Sequence, residues 1–208
     1  MNTIKMQSKI KYHFINTIAK KLILLGCFFL LTGLLSCETD PEEQDVEKKY
    51  FDLKGFIENQ IVYLSEKKPM VSKVMQLDQK KESIKTDQID WKKELELFIQ
   101  SDINKSSYRN SYDVIRSDSS TYEYKLRDSA SLPVHYLKII TDSVLHQPVY
   151  VKALLKSENR IYRSEKNIEL VCSRKDNLLE LSSYTIQGYQ KLIFMDSRPF
   201  MISAKIGL

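Results

Sequence analysis

Beyond Thr121 the apolar residues fall on every second position, in short runs that recur about every ten residues. The runs are Tyr122/Tyr124/Leu126, Leu137/Ile139, Val149/Val151/Ala153/Leu155, Ile168/Leu170/Cys172, Leu179/Leu181 continuing into Tyr184/Ile186, Leu192/Phe194 and Ile202/Ala204/Ile206. A period of two sends successive side chains to opposite faces of a strand, so each run predicts a half-buried strand. The segments between them are short and polar: Arg127-Asp-Ser-Ala-Ser131, Asp142-Ser143, Ser157-Glu-Asn-Arg160, Arg174-Lys-Asp-Asn177 and Gln187-Gly188. Strands joined by turns this short pair antiparallel as a meander, with one dry face and one wet face bearing Lys, Glu, Arg and Ser.

The preceding stretch has a different rhythm. From Lys48 to about Leu64, the residues Phe51, Leu53, Ile57, Ile61 and Leu64, with Tyr50 and Phe56, recur at three and four positions, the spacing of one helix face. Gly55 within it costs about 1 kcal/mol relative to alanine. After Pro69, Val71, Lys73, Met75 and Leu77 alternate with Met70, Ser72 and Val74; the polar turn Asp78–Glu82 and a return through Ile84 complete a small hairpin. Asp90 is an N-cap candidate, and Trp91, Leu95 and Phe98 at i, i+4 and i+7 share one side of a helix ending near Gln100, with Trp91 as a core anchor. Residues 102–113 read as one more helical turn and then a loop. The expected fold class is α+β, with amino-terminal helices packed on one curved antiparallel β-meander sheet.

The formal charge of +5 over 208 residues comes from the amino terminus, because residues 1–36 hold five lysines and no acid while the remainder balances 27 basic against 27 acidic residues. A neutral domain lacks the electrostatic footprint of nucleic-acid binding, so no nucleic-acid partner is expected. After Lys20 and Lys21, Leu22–Ser36 is uncharged and ends at Cys37. A helix needs about 20 apolar residues to span a bilayer, whereas the apolar core of a signal peptide takes about 7–15, so the length predicts a targeting segment rather than a membrane anchor. The lysines ahead of it stay cytoplasmic, and the chain beyond it is exported. The basic region is long, and a start at Met6 would shorten it.

Other chemistry is sparse. Beyond Cys37 the glycines are Gly55, Gly188 and Gly207, too scattered for a phosphate-cradling loop or a GxSxG elbow. There is no HExxH or CxxC; His135 and His146, with Asp142 between them, could meet across a turn but read more simply as surface histidines, and no metal is expected. Cys172 falls in register with Ile168 and Leu170, where a thiol packs as a small hydrophobe. The carboxylate pairs Asp78/Glu82 and Glu165/Glu169 lie on turns and strand edges as solvated charges, so no catalytic residue is assigned. Tyr122 with Tyr124, and Tyr136 with Ile140, share strand faces; cross-strand aromatic pairs contribute about 0.2–1 kcal/mol and need no ligand.

The tetrad Leu34-Leu35-Ser36-Cys37 resembles the lipobox of bacterial lipoproteins, with a small residue before the cysteine and a leucine three positions ahead of it. The resemblance implies that Leu34, Leu35 and Ser36 are recognised by the signal peptidase. It also implies cleavage before Cys37, a thioether-linked diacylglycerol on its sulfur, and a further acyl chain on the new amino group. Two or three such chains hold a protein at a membrane almost permanently. Glu38, Asp40, Glu42, Glu43 and Asp45 then form an acidic tether, similar to the signal that sends lipoproteins of Bacteroidota to the outer face of the outer membrane. Asp128-Ser129-Ala130 and Asp142-Ser143-Val144 resemble the O-glycosylation sequon of that phylum, making Ser129 and Ser143 candidate modification sites. The segment from Asp90 to Lys105 is similar to uncharacterised lipoproteins of Bacteroidota, a resemblance that implies no activity.

The expected organisation is a lipoprotein signal peptide over 1–36, an acidic tether over 37–47 and a single domain over 48–208. With Cys37 acylated, Cys172 is the only free cysteine of the mature chain, so the domain is held by its core rather than by an intrachain disulfide. The expected function is that of a lipid-anchored protein of the cell envelope, in the outer membrane and facing either the periplasm or the surface. Its domain acts by binding a protein, lipid or glycan rather than by catalysis, without a cofactor. The expected partners are the membrane, through the diacylglycerol on Cys37, and the lipoprotein export and processing machinery. The alternatives are a lipid or lipoprotein carrier with a cavity between helices and sheet, and an envelope glycan hydrolase.

Overall fold

A computed structural model describes residues 48–175 and 178–207. The signal-peptide and tether assignments, with Leu34, Leu35, Ser36 and Cys37, lie outside the described residues. Those described belong to one compact unit, built mostly of β-structure. Helix α1 spans Leu53–Lys67, strands β1 (Val71–Leu77) and β2 (Lys80–Thr86) come next, and two short helices, α2 (Trp91–Glu94) and α3 (Glu96–Gln100), precede a 3-10 turn at Ser106–Tyr108. Seven strands complete the chain: β3 (Tyr112–Ser117), β4 (Thr121–Leu126), β5 (Val134–Thr141), β6 (Pro148–Glu158), β7 (Tyr162–Lys175), β8 (Leu178–Leu192) and β9 (Arg198–Ile206).

All nine strands form one antiparallel sheet in the order β2-β1-β9-β8-β7-β6-β5-β4-β3. Strands β4 to β9 are the expected meander, β3 adds an edge strand to it, and the β1–β2 hairpin extends it by pairing β1 with β9 from Val71↔Ile206 to Leu77↔Phe200. The chain between β2 and β3 therefore runs from one edge of the sheet to the other. It carries α2 and α3, which place the buried Trp91 and Phe98 in the core.

The dry face is the one the alternation predicts. Val151, Ala153, Ile168, Leu170, Cys172, Leu179, Leu181, Tyr184 and Ile186 are buried, as are Leu53, Ile57, Leu64, Leu95 and Phe98 of the helical layer. Two slips in the alternation have structural causes. The apolar phase moves from Leu181 to Tyr184 where the β7–β8 register shifts between Val171 and Cys172, leaving Ser182 as an inserted residue whose hydroxyl donates to the Val171 carbonyl at 3.0 Å. The phase also moves from Val134 to Leu137 because the β5–β6 register shifts at His135. An extra residue in one strand turns the subsequent side chains to the opposite face, and both bulges restore the apolar set to the core.

Several expectations need correction. Strand β3 was not expected, because Tyr112–Ser117 has no alternation; it is an edge strand, buried only at Tyr112. Gly188 lies within β8, not in a turn: a Cβ there would stand 2.0 Å from the Glu165 carbonyl oxygen, so the close approach of β7 requires glycine. Phe194 likewise lies outside any strand, in the turn after β8. The β1–β2 turn is shorter than expected, only Asp78 and Gln79, with Asp78 at φ 53°. Finally, the single helix expected over 91–100 is interrupted at Leu95 (φ −100°, ψ 7°).

Helix α1 starts at Asp52, whose side chain accepts from the Gly55 N–H at 3.0 Å, and ends at Lys68 in the left-handed conformation. Its buried Gln60 donates from Nε2 to the Leu179 carbonyl (3.1 Å), and its Oε1 accepts from the Leu181 N–H (3.0 Å). Strand β9 pairs with β8 only from Ser183 onward, so this stretch of β8 lies beyond the β9 ladder. The amide of Gln60 supplies a donor and an acceptor at peptide spacing and stands in for the missing strand.

Candidate functional site

The alternating strand directions place the turns at 78–79, 127–133, 159–161 and 193–197 at one end of the sheet, and those at 118–120 and 142–147 at the other. His135 and His146 therefore lie toward opposite ends of β5, about 20 Å apart or more at strand rise, and do not meet around Asp142. No group of three or more His, Cys, Asp or Glu that could hold a metal occurs among the described residues.

Both candidate glycosylation serines are exposed on turns. Ser129 lies in a turn closed by Ala130 N–H to Arg127 C=O (3.0 Å). Ser143 comes directly after Asp142, whose Oδ1 accepts from the N–H groups of Val144 and Leu145, both at 2.8 Å. These bonds hold the Asp142 carboxyl below the ordinary range despite opposing desolvation.

Cys172 is buried, and desolvation pushes its thiol up to about 12, so it is neutral and packs as a hydrophobe. Three carboxylates of the two pairs form ion pairs: Glu165 with Lys156 (3.0 Å), Glu169 with Lys152 (2.8 Å) and Asp78 with Arg198 (3.3 Å). Where carboxylates among the described residues are displaced, the direction is downward. Asp118 falls to about 2 through the Ser120 N–H and the Arg116 guanidinium, and Asp90 is lowered by its bonds from Lys93. Burial raises Glu180, but its hydrogen bonds from Lys67 and Tyr63 outweigh that and lower it. A general acid needs the opposite shift.

Tyr50, Tyr108, Tyr112, Tyr124 and Tyr184 are buried in the core. The Tyr50 ring meets Tyr112 and Tyr124 edge-on at 5.9 and 5.2 Å, its hydroxyl donates to the Arg109 carbonyl (2.8 Å), and the Tyr112 hydroxyl donates to the Val134 carbonyl (2.9 Å). Tyr122 packs on Phe51 at 5.0 Å, while Tyr136 donates to Glu123 at 2.7 Å. Tyr184 reaches Glu94, which also pairs with Lys73 at 2.6 Å, tying α2 to β1 and β8. The core residues Leu53, Ile57, Leu95, Phe98, Ile168 and Leu170 have no accessible surface, so none lines a water-sized void.

Two clefts open at the end of the sheet that carries the four turns. One, of about 500 Å³, is lined by Arg127, Asp128, His135, Tyr136 and Lys156 among others. Burial and then the nearby Lys156 charge lower the His135 pKa, so the imidazole is neutral at pH 7. The other, of about 290 Å³, lies between the turn after β6 and the turn after β8, lined by Arg160, Ile161, Lys191 and Ile193. Beside it, Leu192, Ile193, Phe194 and Met195 project into solvent, with Phe194 94% exposed. The only sequence signal for this feature is that four consecutive apolar residues break the alternation between Lys191 and Asp196.

No family model, curated protein or solved structure matches the chain.

Proposed function

We propose that this protein is a lipid-anchored lipoprotein of the cell envelope, attached through diacylglycerol on the Cys37 sulfur, whose exported domain works by binding rather than by catalysis. One observation carries the reading: lysines, a fifteen-residue uncharged run and Leu34-Leu35-Ser36-Cys37 succeed one another in the order that lipoprotein processing requires. The acidic residues after Cys37 favour the outer membrane as its destination. Helices α1 to α3 form the helical layer of an α+β domain covering the dry face of the sheet, a reading supported by the Gln60 bridge to β8 and by the edge-on contact of Phe98 with Tyr184. Close packing between the two layers favours a contact role over carriage of an acyl chain in that interface.

Metabolic labelling tests the assignment. The native chain incorporates palmitate and is cut before Cys37, whereas Cys37→Ala leaves unlabelled, uncut precursor; continued labelling of the variant overturns the reading.

A further inference from the structure

The apolar turns at one end of the sheet form a compact tip. Ile193 N–H donates to the Ile161 carbonyl at 3.0 Å, joining the turn after β8 to the turn after β6, and Met195 N–H donates to Leu192 C=O at 3.0 Å. Asn159 Oδ1 accepts from the N–H groups of Ile161 and Tyr162 at 3.0 and 2.9 Å, fixing the second turn. The backbone is thus pinned, while Phe194 (94%), Ile161 (62%) and Ile193 (58%) present their side chains to water. Turn positions normally take small or polar residues, so a contiguous exposed apolar tip marks a contact surface.

The rim of the tip carries more basic than acidic residues. Arg160 and Lys191 are exposed beside it, Arg163 pairs with Glu158 and Arg198 with Asp78, Asp196 stands exposed in the turn itself, and exposed lysines 80 and 81 continue the positive charge at the start of β2. Apolar side chains ringed by long cationic ones suit the boundary of an anionic bilayer. There the hydrocarbon enters the acyl region while nearby Lys and Arg are attracted by the negative surface potential.

The position of the chain's entry into the domain fits the same orientation. Lys49 Nζ donates to the Arg109 carbonyl (2.9 Å) and to Asn110 Oδ1 (3.1 Å), just ahead of Tyr112, which pairs with Leu126 at the same end of the sheet as the tip. Residues 38–47 span at most about 35 Å fully extended, so an anchor at Cys37 keeps that end within reach of the lipid.

We infer that the Ile161 and Ile193–Met195 tip inserts into the interface of an anionic lipid bilayer, giving the domain a fixed orientation on the membrane that carries it. This inference rests on the proposed anchoring at Cys37. Trp91 is the only tryptophan and is buried, so a tryptophan placed at the tip reports its own surroundings.

The full chain carrying Phe194→Trp is reconstituted in vesicles of phosphatidylcholine with or without phosphatidylglycerol, using acyl-brominated lipids as quenchers. Val62→Trp, on the exposed face of α1, serves as the control. In phosphatidylglycerol vesicles the tip tryptophan shifts to the blue and is quenched, and the effect is lost without the anionic lipid or with Arg160→Glu and Lys191→Glu. Three results would overturn the inference: an unquenched, water-exposed tip; equal quenching at position 62; or a tip shielded by dimerisation that Phe194→Ser abolishes. Retention on vesicles in 1 M salt reads the anchor separately: quenching with salt release keeps the tip and removes the anchor, and retention without quenching does the reverse.

Discussion

Single residues decide how α1 is tied to β8, and Gln60 is the clearest case. Its amide satisfies the Leu179 carbonyl and the Leu181 N–H in a buried setting, and removing it leaves both without partners. Each orphaned group costs about 1–3 kcal/mol, so Gln60→Leu is expected to lower the unfolding free energy by about 2–4 kcal/mol in a urea titration; a loss below about 0.5 kcal/mol would show that water replaces the amide. Gly188→Ala forces a Cβ against the Glu165 backbone and is expected to cost about 1–3 kcal/mol, read as a fall in Tm. Cys172 is expected to ignore thiol reagents at pH 8 in the folded protein and react in urea, because its thiol is buried and neutral. The burial of Cys172 and Trp91 and the Asp90 cap were legible from spacing alone. Gln60 was not, since a polar residue on a helix gives no sign that a strand end waits opposite it.

At the scale of elements, alternation identified the strands whose two faces differ in wetness. It failed for β3, an edge strand with one buried residue, and at Gly188, which resembles a turn glycine when the neighbouring strand is unseen. The edges carry their own protection. Strand β2, Lys-Lys-Glu-Ser-Ile-Lys-Thr, presents exposed charge along the open ladder, which discourages pairing with another sheet.

Turn carboxylates also set the acid response. Asp118, Asp142 and Asp90 are held below their unfolded values by hydrogen bonds formed only in the folded state. Their contribution is therefore complete above the unfolded carboxylate pKa of about 4, and is lost as pH falls through the folded values. Tm is expected to be level from about pH 7 to 8, to ease downward below about pH 6.5 because the folded state holds His135 neutral, and to drop further below about pH 4; a Tm that rose on acidification would contradict this. Burial raises Cys172, Tyr112 and Tyr124, so a second loss is expected on the alkaline side, beginning above about pH 9 as the unfolded thiol and phenols ionise.

For the whole molecule, the topology explains how a short chain orders nine strands. The meander pairs neighbours in sequence, and the β1–β2 hairpin docks on β9, so only the segment through α2 and α3 must cross the sheet. That docking is a long-range pairing with no local signature, and the alternation of β1 could not name its partner. The candidate site divides in the same way. The proposed attachment at Cys37 is read from a linear motif, whereas the exposed tip arises only when two turns distant in sequence are brought side by side.

Covalent attachment at Cys37 underlies both the proposed function and the orientation of the tip, and intact-mass spectrometry of protein isolated from native membranes tests it most directly. The expected species is a chain beginning at Cys37 that carries diacylglycerol on sulfur and, with it, an amide-linked acyl group. A mature species that begins at Met1 or Met6 with an unmodified Cys37 thiol would contradict it.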